Sequence, residues 1–315
     1  MAEVVGVVLA AGRGRRFGPL GETYVKALLP VANDPVIAHQ LRLMHSLGVR
    51  RVLVVVGHHA EDVSAALGSG ERFGLEIEYV TQPNPLGSAH ALGSVRAWVR
   101  SPFLLTLGDY YFVARDPEVM TRRLQRGDSV IATKHEPCAH LIREACGVVV
   151  DADDRVLDIV EKPVQPSTSV KGTGFYALTP DFFDAVNRTP RTALRDEYEL
   201  TVSLEIFVRS GHRLYGEPII EWDNNITRPG DLLDCNLEWL DRHHVSRLVG
   251  DEASVDEATE LEQTVVGRGA VLRGARRLKQ VVVFPGAQSL DGAPMERSLL
   301  TPSGAIDCRS SPPPA

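Results

Sequence analysis

Continuous apolar runs alternate with amphipathic stretches through the first half of the chain. Residues 4–9 are almost wholly apolar, as in a strand covered on both faces. Asn33-Asp34-Pro35 then supplies a helix start and Gly48 a stop. Between them Ile37, Leu41, Met44 and Leu47 recur at helical spacing. Residues 52–56 predict a second buried strand and 60–67 a short helix. Leu75, Ile77 and Tyr79 alternate with acids, which predicts a half-buried strand. Residues 88–99 read as a helix and 103–107 as a third buried strand. This rhythm predicts an α/β fold with a doubly wound, mostly parallel, Rossmann-like sheet. Such sheets take ligands at the carboxyl ends of their strands.

The second half is less regular. Residues 148–150 and 156–160 predict short strands about a polar turn, with further strands at 175–178 and 213–216. Helices are expected over 180–186, 200–210 and 229–241. Beyond residue 250 a six-residue period emerges at Val266, Leu272, Leu278, Phe284 and Leu290. Small or apolar residues recur ahead of them at Gly269, Ala275, Val281 and Ala287. That period predicts a left-handed parallel β-helix over 255–295, following a main domain at 1–245. The alternative is two ordinary strands joined by turns. The segment holds little more than one coil of three hexads, too little to bury its own interior, so it should dock on the rest of the chain or on a neighbouring subunit. Residues 301–315 end in Ser310-Ser311-Pro312-Pro313-Pro314, the composition of a disordered tail.

The first apolar run drops into Gly12-Arg13-Gly14-Arg15-Arg16, and Lys26 follows. Glycines let backbone N–H groups approach an anion, and the cations bring charge to the same loop. It is not a P-loop, because no lysine follows a glycine as Gly-Lys-Ser/Thr requires. Nor is it a dinucleotide loop, because Phe17 stands where the third glycine belongs. Leu9-Ala10-Ala11-Gly12-Arg13-Gly14-Arg15-Arg16, followed by Val25-Lys26-Ala27-Leu28-Leu29-Pro30-Val31, resembles the signature of the sugar-1-phosphate nucleotidyltransferases. Two positions depart from it. Arg15 replaces a Ser or Thr, and Val25 replaces the proline before the lysine. The resemblance covers roughly residues 3–241.

The resemblance implies transfer of a nucleotidyl group from a nucleoside triphosphate to a sugar-1-phosphate, with release of pyrophosphate. A phosphate oxygen is already ionised at neutral pH, with a second pKa of ~6, so it attacks without a general base. The work is to hold two polyanions in line with cations, N–H donors and a metal. The family implies that Leu9, Ala11, Gly12, Gly14 and Arg15 line the triphosphate nucleotide, and that Arg16, Lys26 and Lys162 carry the transferring charge. Leu107-Gly108-Asp109 ends the third buried strand, and Asp109 is the implied Mg²⁺ ligand. Tyr110 stands where relatives often have Asn. In Trp222-Asp223-Asn224-Asn225-Ile226, alignment puts Asn225 at the second metal position, with Asp223 a lower-ranked alternative. Gln82-Pro83-Asn84-Pro85-Leu86-Gly87-Ser88 resembles the base-reading segment. The Gln82 amide matches the N3–H and carbonyl edge of uracil or thymine, while Gly87 and Ser88 bring a helix start to the nucleoside. Because an amide can flip, Gln82 alone does not exclude cytosine. Glu161-Lys162-Pro163 matches a Glu-Lys-Pro signature, with Glu161 on sugar hydroxyls and Lys162 on the sugar phosphate. Gly147 and Thr173-Gly174 resemble elements of the sugar pocket, with Cys146 in place of an aromatic and Gly172 in place of Asn.

Bulk composition narrows the classes further. The chain has 315 residues, 43% hydrophobic and 24% charged, with a net charge of −7. That balance argues against nucleic-acid partners. No apolar stretch reaches a membrane span, and the start is not a signal peptide. Four scattered cysteines without CxxC spacing read as reduced thiols of a cytoplasmic protein. The expected partners are a nucleoside triphosphate and a phosphorylated small-molecule acceptor, with homo-oligomers possible. Uridylyl or thymidylyl transfer to a hexose-1-phosphate leads. Cytidylyl transfer to a non-sugar phosphate or phosphonate stays open. A non-catalytic sugar-nucleotide-binding regulatory subunit is the alternative from another class.

Overall fold

The computed structural model describes residues 3–309 apart from 13, 15, 16, 18, 194, 195, 275, 276, 290 and 291. They group into two compact units. One runs through Ile37–Asp223 and takes in the first strand; the other joins Gly14–Val36 to the chain from Asn224 onward. In chain order β1 (Val5–Ala10) precedes α1 (Pro19–Thr23), the hairpin strands β2 (Pro30–Val31) and β3 (Asp34–Pro35), and α2 (Val36–Ser46). Then come β4 (Arg51–Val56), α3 (Ala60–Leu67), β5 (Glu76–Thr81), α4 (Ser88–Gly93), β6 (Phe103–Leu107), β7 (Tyr110–Ala114) and α5 (Glu118–Gln125). The remainder of this half is β8 (Ser129–His135), α6 (Ala139–Glu144), β9 (Cys146–Val150), β10 (Val156–Glu161), β11 (Val170–Leu178) and α7 (Phe182–Arg188). It closes with α8 (Leu200–Arg209), β12 (Leu214–Glu217), β13 (Ile220–Asn225) and α9 (Pro229–Arg242).

In the first unit the sheet runs β10-β9-β11-β6-β1-β4-β5, with β8 beside β11 and β12 beside β8. The apolar runs become its centre. β1 lies parallel between β4 and β6, and Val7, Val8, Leu53 and Leu105 are fully buried. Both faces of these strands are covered, which is why their sequence shows no alternation. Beyond β6 the sheet turns mixed, because β11 runs antiparallel to β6, β8 and β9. The helix expected over 88–99 ends at Gly93. The chain continues in tighter turns, Val95 N–H to Leu92 O and Arg96 N–H to Gly93 O, while the Ser94 hydroxyl bonds back to Ala91 O. Glycine and a hydroxyl that competes for backbone carbonyls disfavour a further α turn.

The second unit holds the β2–β3 hairpin, whose turn residues Ala32 and Asn33 both have positive φ. Asn236 of α9 locks that turn. Its Oδ1 accepts from Ala32 N–H and its Nδ2 donates to Pro30 O. After α9 come parallel strands, Arg247–Val249, Thr264–Val266, Arg277–Val283 and Met295–Thr301. Val265 pairs with Val282 and Val282 with Leu299, so each partner lies 17 residues on. A second ladder joins Ser254–Val255, Val271–Leu272 and Gln288–Ser289 at the same offset. Parallel pairing thus reaches from Arg247 to Leu300, beyond the span marked by the hexads. Val266, Leu272, Leu278 and Phe284 face inward and are buried. Leu290 and Ala275 lie outside the described residues. Gly304–Asp307 runs antiparallel on Met295–Thr301 and covers that edge. No helix among the described residues is long and apolar enough to cross a membrane.

Candidate active site

Two glycines let neighbouring strand ends close on the end of β1. A Cβ on Gly57, after β4, would sit 2.8 Å from Ala11 O; one on Gly108, after β6, would sit 3.0 Å from Leu9 O. Gly108 N–H donates to Leu9 O at 2.8 Å. Leu9 and Ala11 are buried, whereas Gly12 is exposed with open space where a Cβ would be. The chain leaves the sheet there with its backbone accessible. Arg13, Arg15 and Arg16 lie outside the described residues. In the second unit Gly14 has φ +64, and the Lys26 stem packs against its Cα, 3.3 Å from where a Cβ would stand. Lys26 itself is buried, at the start of a single 3₁₀ turn.

Asp109 sits half-buried in the two-residue turn between β6 and β7. Gln40 of α2 clamps that turn from behind. Its Oε1 accepts from the Thr106 hydroxyl at 3.0 Å, and its Nε2 donates to Leu107 O and to Tyr110 O, each at 2.6 Å. One buried amide thus uses both protons and its oxygen on the residues flanking Asp109. Tyr110 points away from the turn and its hydroxyl donates to the Asp223 carboxylate. Lys171 Nζ holds the same carboxylate at 2.7 Å and 2.8 Å, with Lys134 3.7 Å from it and 3.2 Å from Glu136. Burial, and then the Asp223 charge and hydrogen bond, push the Tyr110 hydroxyl well above its usual pKa. Asp223 is therefore neutralised by a lysine within its own unit. Asn225, the preferred second ligand, is exposed at the end of β13. Among the described residues no group of three or more His, Cys, Asp and Glu is placed to hold a metal.

Gln82 follows β5 and is 4% exposed. Its Nε2 lies 3.3 Å from Gly87 O and 2.7 Å from His90 Nδ1. Gly87 has φ +114, and a Cβ there would sit 2.4 Å from Tyr198 O, so only glycine fits. The Ser88 hydroxyl accepts from Leu200 N–H at the start of α8.

Glu161 ends the edge strand β10 opposite Cys146, and Lys162 follows with φ +45, bonding through its N–H to Ala145 O. A left-handed lysine is uncommon and strained, and such outliers concentrate at functional sites. Gly147 pairs with both Val160 and Lys171. The Thr173 hydroxyl donates to Ala132 O at 2.7 Å, so it serves the sheet. Gly174 makes room for Tyr110, whose Cδ1 would stand 3.0 Å from a Cβ there. The Cys146–Gly172 pair is complementary in the same way: a Cβ on Gly172 would lie 2.5 Å from Cys146 Sγ. Burial, with the Glu161 charge second, pushes the Cys146 thiol up to about 12.

The sequence motifs missed Gln40, His90, Lys134 and Lys171. Lys171 alone left a signal: one charge within the otherwise apolar and small run Val170–Leu178, which a buried strand tolerates only when paired.

These features fit what comparison finds. The family model described as nucleotidyl transferase matches residues 5–241. The low-salt glycan biosynthesis nucleotidyltransferase Agl11 of Haloferax volcanii is 30% identical over 82% of this chain and 73% of its own length. A glucose-1-phosphate thymidylyltransferase of Streptomyces antibioticus is 31% identical over 90% of this chain and 79% of its own. A solved UDP-glucose pyrophosphorylase complexed with UDP-glucose shares the fold, with a TM-score of 0.68 at 20% identity, over 76% of this chain and 99% of that one. With the family model spanning this much of the chain, and a relative 31% identical across nine-tenths of it, the chain belongs to the nucleotidyl transferase family of enzymes.

Proposed function

We propose that the chain transfers a uridylyl or thymidylyl group from UTP or dTTP to a hexose-1-phosphate. The observation that carries this reading is the set of three features in the first unit: the clamped Asp109 turn, the buried Gln82 amide beside Gly87, and the left-handed Lys162 after Glu161. The relatives' names agree with it. An acceptor phosphate oxygen attacks the α-phosphorus and forms the new P–O bond. The bond from the α-phosphorus to the α–β bridging oxygen breaks, and pyrophosphate leaves with the electron pair. Lys162 holds the acceptor phosphate, Glu161 accepts from the acceptor's hydroxyls, and Gly147 and Gly174 belong to the strands that wall the pocket. Thr173 supports that wall through its bond to Ala132. Lys26 and Arg16 balance charge on the triphosphate, and the backbone of 9–15 supplies N–H donors. Asp109 would offer Mg²⁺ a carboxylate oxygen, a hard donor of the kind that ion prefers, and Asn225 is the candidate second ligand through its amide oxygen. A bound Mg²⁺ supplies neutralisation of phosphate charge. The regulatory-subunit alternative is disfavoured by retention of Lys26, Asp109 and Lys162.

The same reading assigns residues 1–245 to catalysis and gives the C-terminal coils the left-handed hexapeptide type. The test is pyrophosphate release from UTP, dTTP, CTP, ATP and GTP against hexose-1-phosphates and phosphorylated polyols with Mg²⁺. Turnover with UTP or dTTP and a hexose-1-phosphate is expected. Turnover confined to CTP and a non-sugar acceptor would replace this reading with cytidylyl transfer.

A further inference from the structure

We propose that His90 sets the base preference by fixing the orientation of the Gln82 amide. The inference rests on the reading of Gln82 as the base-reading residue. A free amide can flip and present either its donor or its acceptor, so a glutamine alone does not separate uracil from cytosine. Here two neighbours remove that freedom. Gly87 O can only accept, so the end of the amide facing it at 3.3 Å is the NH₂ group. The same nitrogen lies 2.7 Å from His90 Nδ1, which accepts when the imidazole is neutral with its proton on Nε2. Both amide protons then have partners, and Oε1 is the group left for a ligand. The opposite flip would set Oε1 against Gly87 O, two acceptors face to face in a buried place.

An acceptor held in that direction pairs with the N3–H of uracil or thymine. Cytosine presents a lone pair at N3, and two buried acceptors would stand unpaired, which is where hydrogen-bonded sites gain their strongest discrimination. His90 is itself held in place. It lies on α4, its ring stacked on Tyr198 at 6.1 Å between centroids and 27° between planes. Tyr198 is tied back to the same segment, its N–H donating to Leu86 O and its carbonyl accepting from Ala89 N–H. His90 therefore acts through Gln82 as a positioning residue.

The test measures kcat/KM of the full chain for UTP, dTTP and CTP with glucose-1-phosphate and Mg²⁺, in wild type, His90→Phe and His90→Gln. Phenylalanine keeps a ring against Tyr198 and removes Nδ1; glutamine restores an acceptor. Wild type should prefer UTP or dTTP. In His90→Phe the ratio of UTP to CTP should fall roughly tenfold, the scale of one hydrogen bond, and His90→Gln should recover most of it. The KM for glucose-1-phosphate should not move. The ratio is independent of the fraction of enzyme that folds, so a weakened variant still answers. Equal losses for all three nucleotides in His90→Phe would overturn the proposal and leave His90 a packing residue. A wild type that prefers CTP or a purine triphosphate would instead overturn the reading of Gln82 itself.

Discussion

The carboxyl edge of the sheet and the C-terminal coils both contain half-buried and buried polar side chains, but they satisfy them in opposite ways. In the coils one solution repeats every turn. Gln263, Gln280 and Arg297 occupy equivalent left-handed corners, and the later two each donate to the one before: Gln280 Nε2 to Gln263 Oε1 at 2.8 Å, Arg297 Nη1 to Gln280 Oε1 at 3.3 Å. The row is tied at both ends to α9, through Asp241 and Asp234. At the sheet edge nothing repeats. Gln40, the Lys171–Asp223–Tyr110 set and the Gln82–His90 pair are each the sole solution to a local problem. A repeated contact has a neighbour of the same kind to share a loss. A unique contact does not, and chemistry needs unique geometry.

The largest effect should follow loss of the group that the edge presents. Asp109→Ala should lower turnover roughly 10²–10³-fold or more, the scale of removing one preorganised electrostatic group. Its thermal midpoint should stay close to wild type, because the residue lies in a turn that Gln40 holds without it. Pyrophosphate release and a melting curve read the two quantities. Activity within tenfold of wild type would mean that Asp109 holds no metal.

Lys171→Met should be the most destabilising change at the edge. It leaves Asp223 and the Tyr110 hydroxyl buried without their main cation, and removing one partner of a buried pair costs about 3–5 kcal/mol. Lys134, 3.7 Å from the same carboxylate, places the value at the lower end. Urea unfolding measures it. The double variant Lys171→Met with Asp223→Asn should recover part of the loss, since the uncompensated charge is gone. A double variant as unstable as the single one would show that the lysine stem, not its charge, is what matters.

Gln40→Leu should cost about 1–3 kcal/mol, the range for leaving a buried polar group unsatisfied, and should also lower kcat. Two carbonyls and the Thr106 hydroxyl lose their partner, and the Asp109 turn loses its support. The split between kcat and KM separates positioning from simple loss of stability. A kcat equal to wild type in the folded fraction would contradict the clamp.

The parts of this comparison were unequally legible in the sequence. Strands with both faces covered, such as Arg51–Val56 and Phe103–Leu107, are apolar at all but one position each and could be read directly. The phosphate loop, Asp109 and Glu161-Lys162-Pro163 were carried by motifs. Gln40 was not readable, because a glutamine on an amphipathic helix is ordinarily solvent-facing. Only the turn after β6, 66 residues or more away, makes it a core residue. β8 was missed because Lys134 and His135 give its second half a polar look, although Lys134 faces Glu136 and Asp223. Beyond α9 the buried residues Val266, Leu272, Leu278 and Phe284 were marked by their six-residue spacing. The offset between coils was not, because 17 residues do not divide into equal hexads and the pairing that reveals it is non-local.

The smallest effect should come from the middle of the repeated row. Gln280→Ala removes one donor and one acceptor from a chain of partly exposed side chains. Gln263 keeps its bond to Asp241, and Arg297 keeps its bond to Asp234. Water reaches the groups left over, so no buried polar atom is stranded and the loss is one net hydrogen bond, about 0.5–1.5 kcal/mol at most. Alanine at φ +53 exchanges one left-handed side chain for another and adds no new clash of kind. Urea unfolding should therefore place Gln280→Ala below Gln40→Leu, and its kcat should equal wild type. If Gln280→Ala proved as costly as Gln40→Leu, repetition would confer no tolerance. The contrast between the two regions would then reduce to how deeply each side chain is buried.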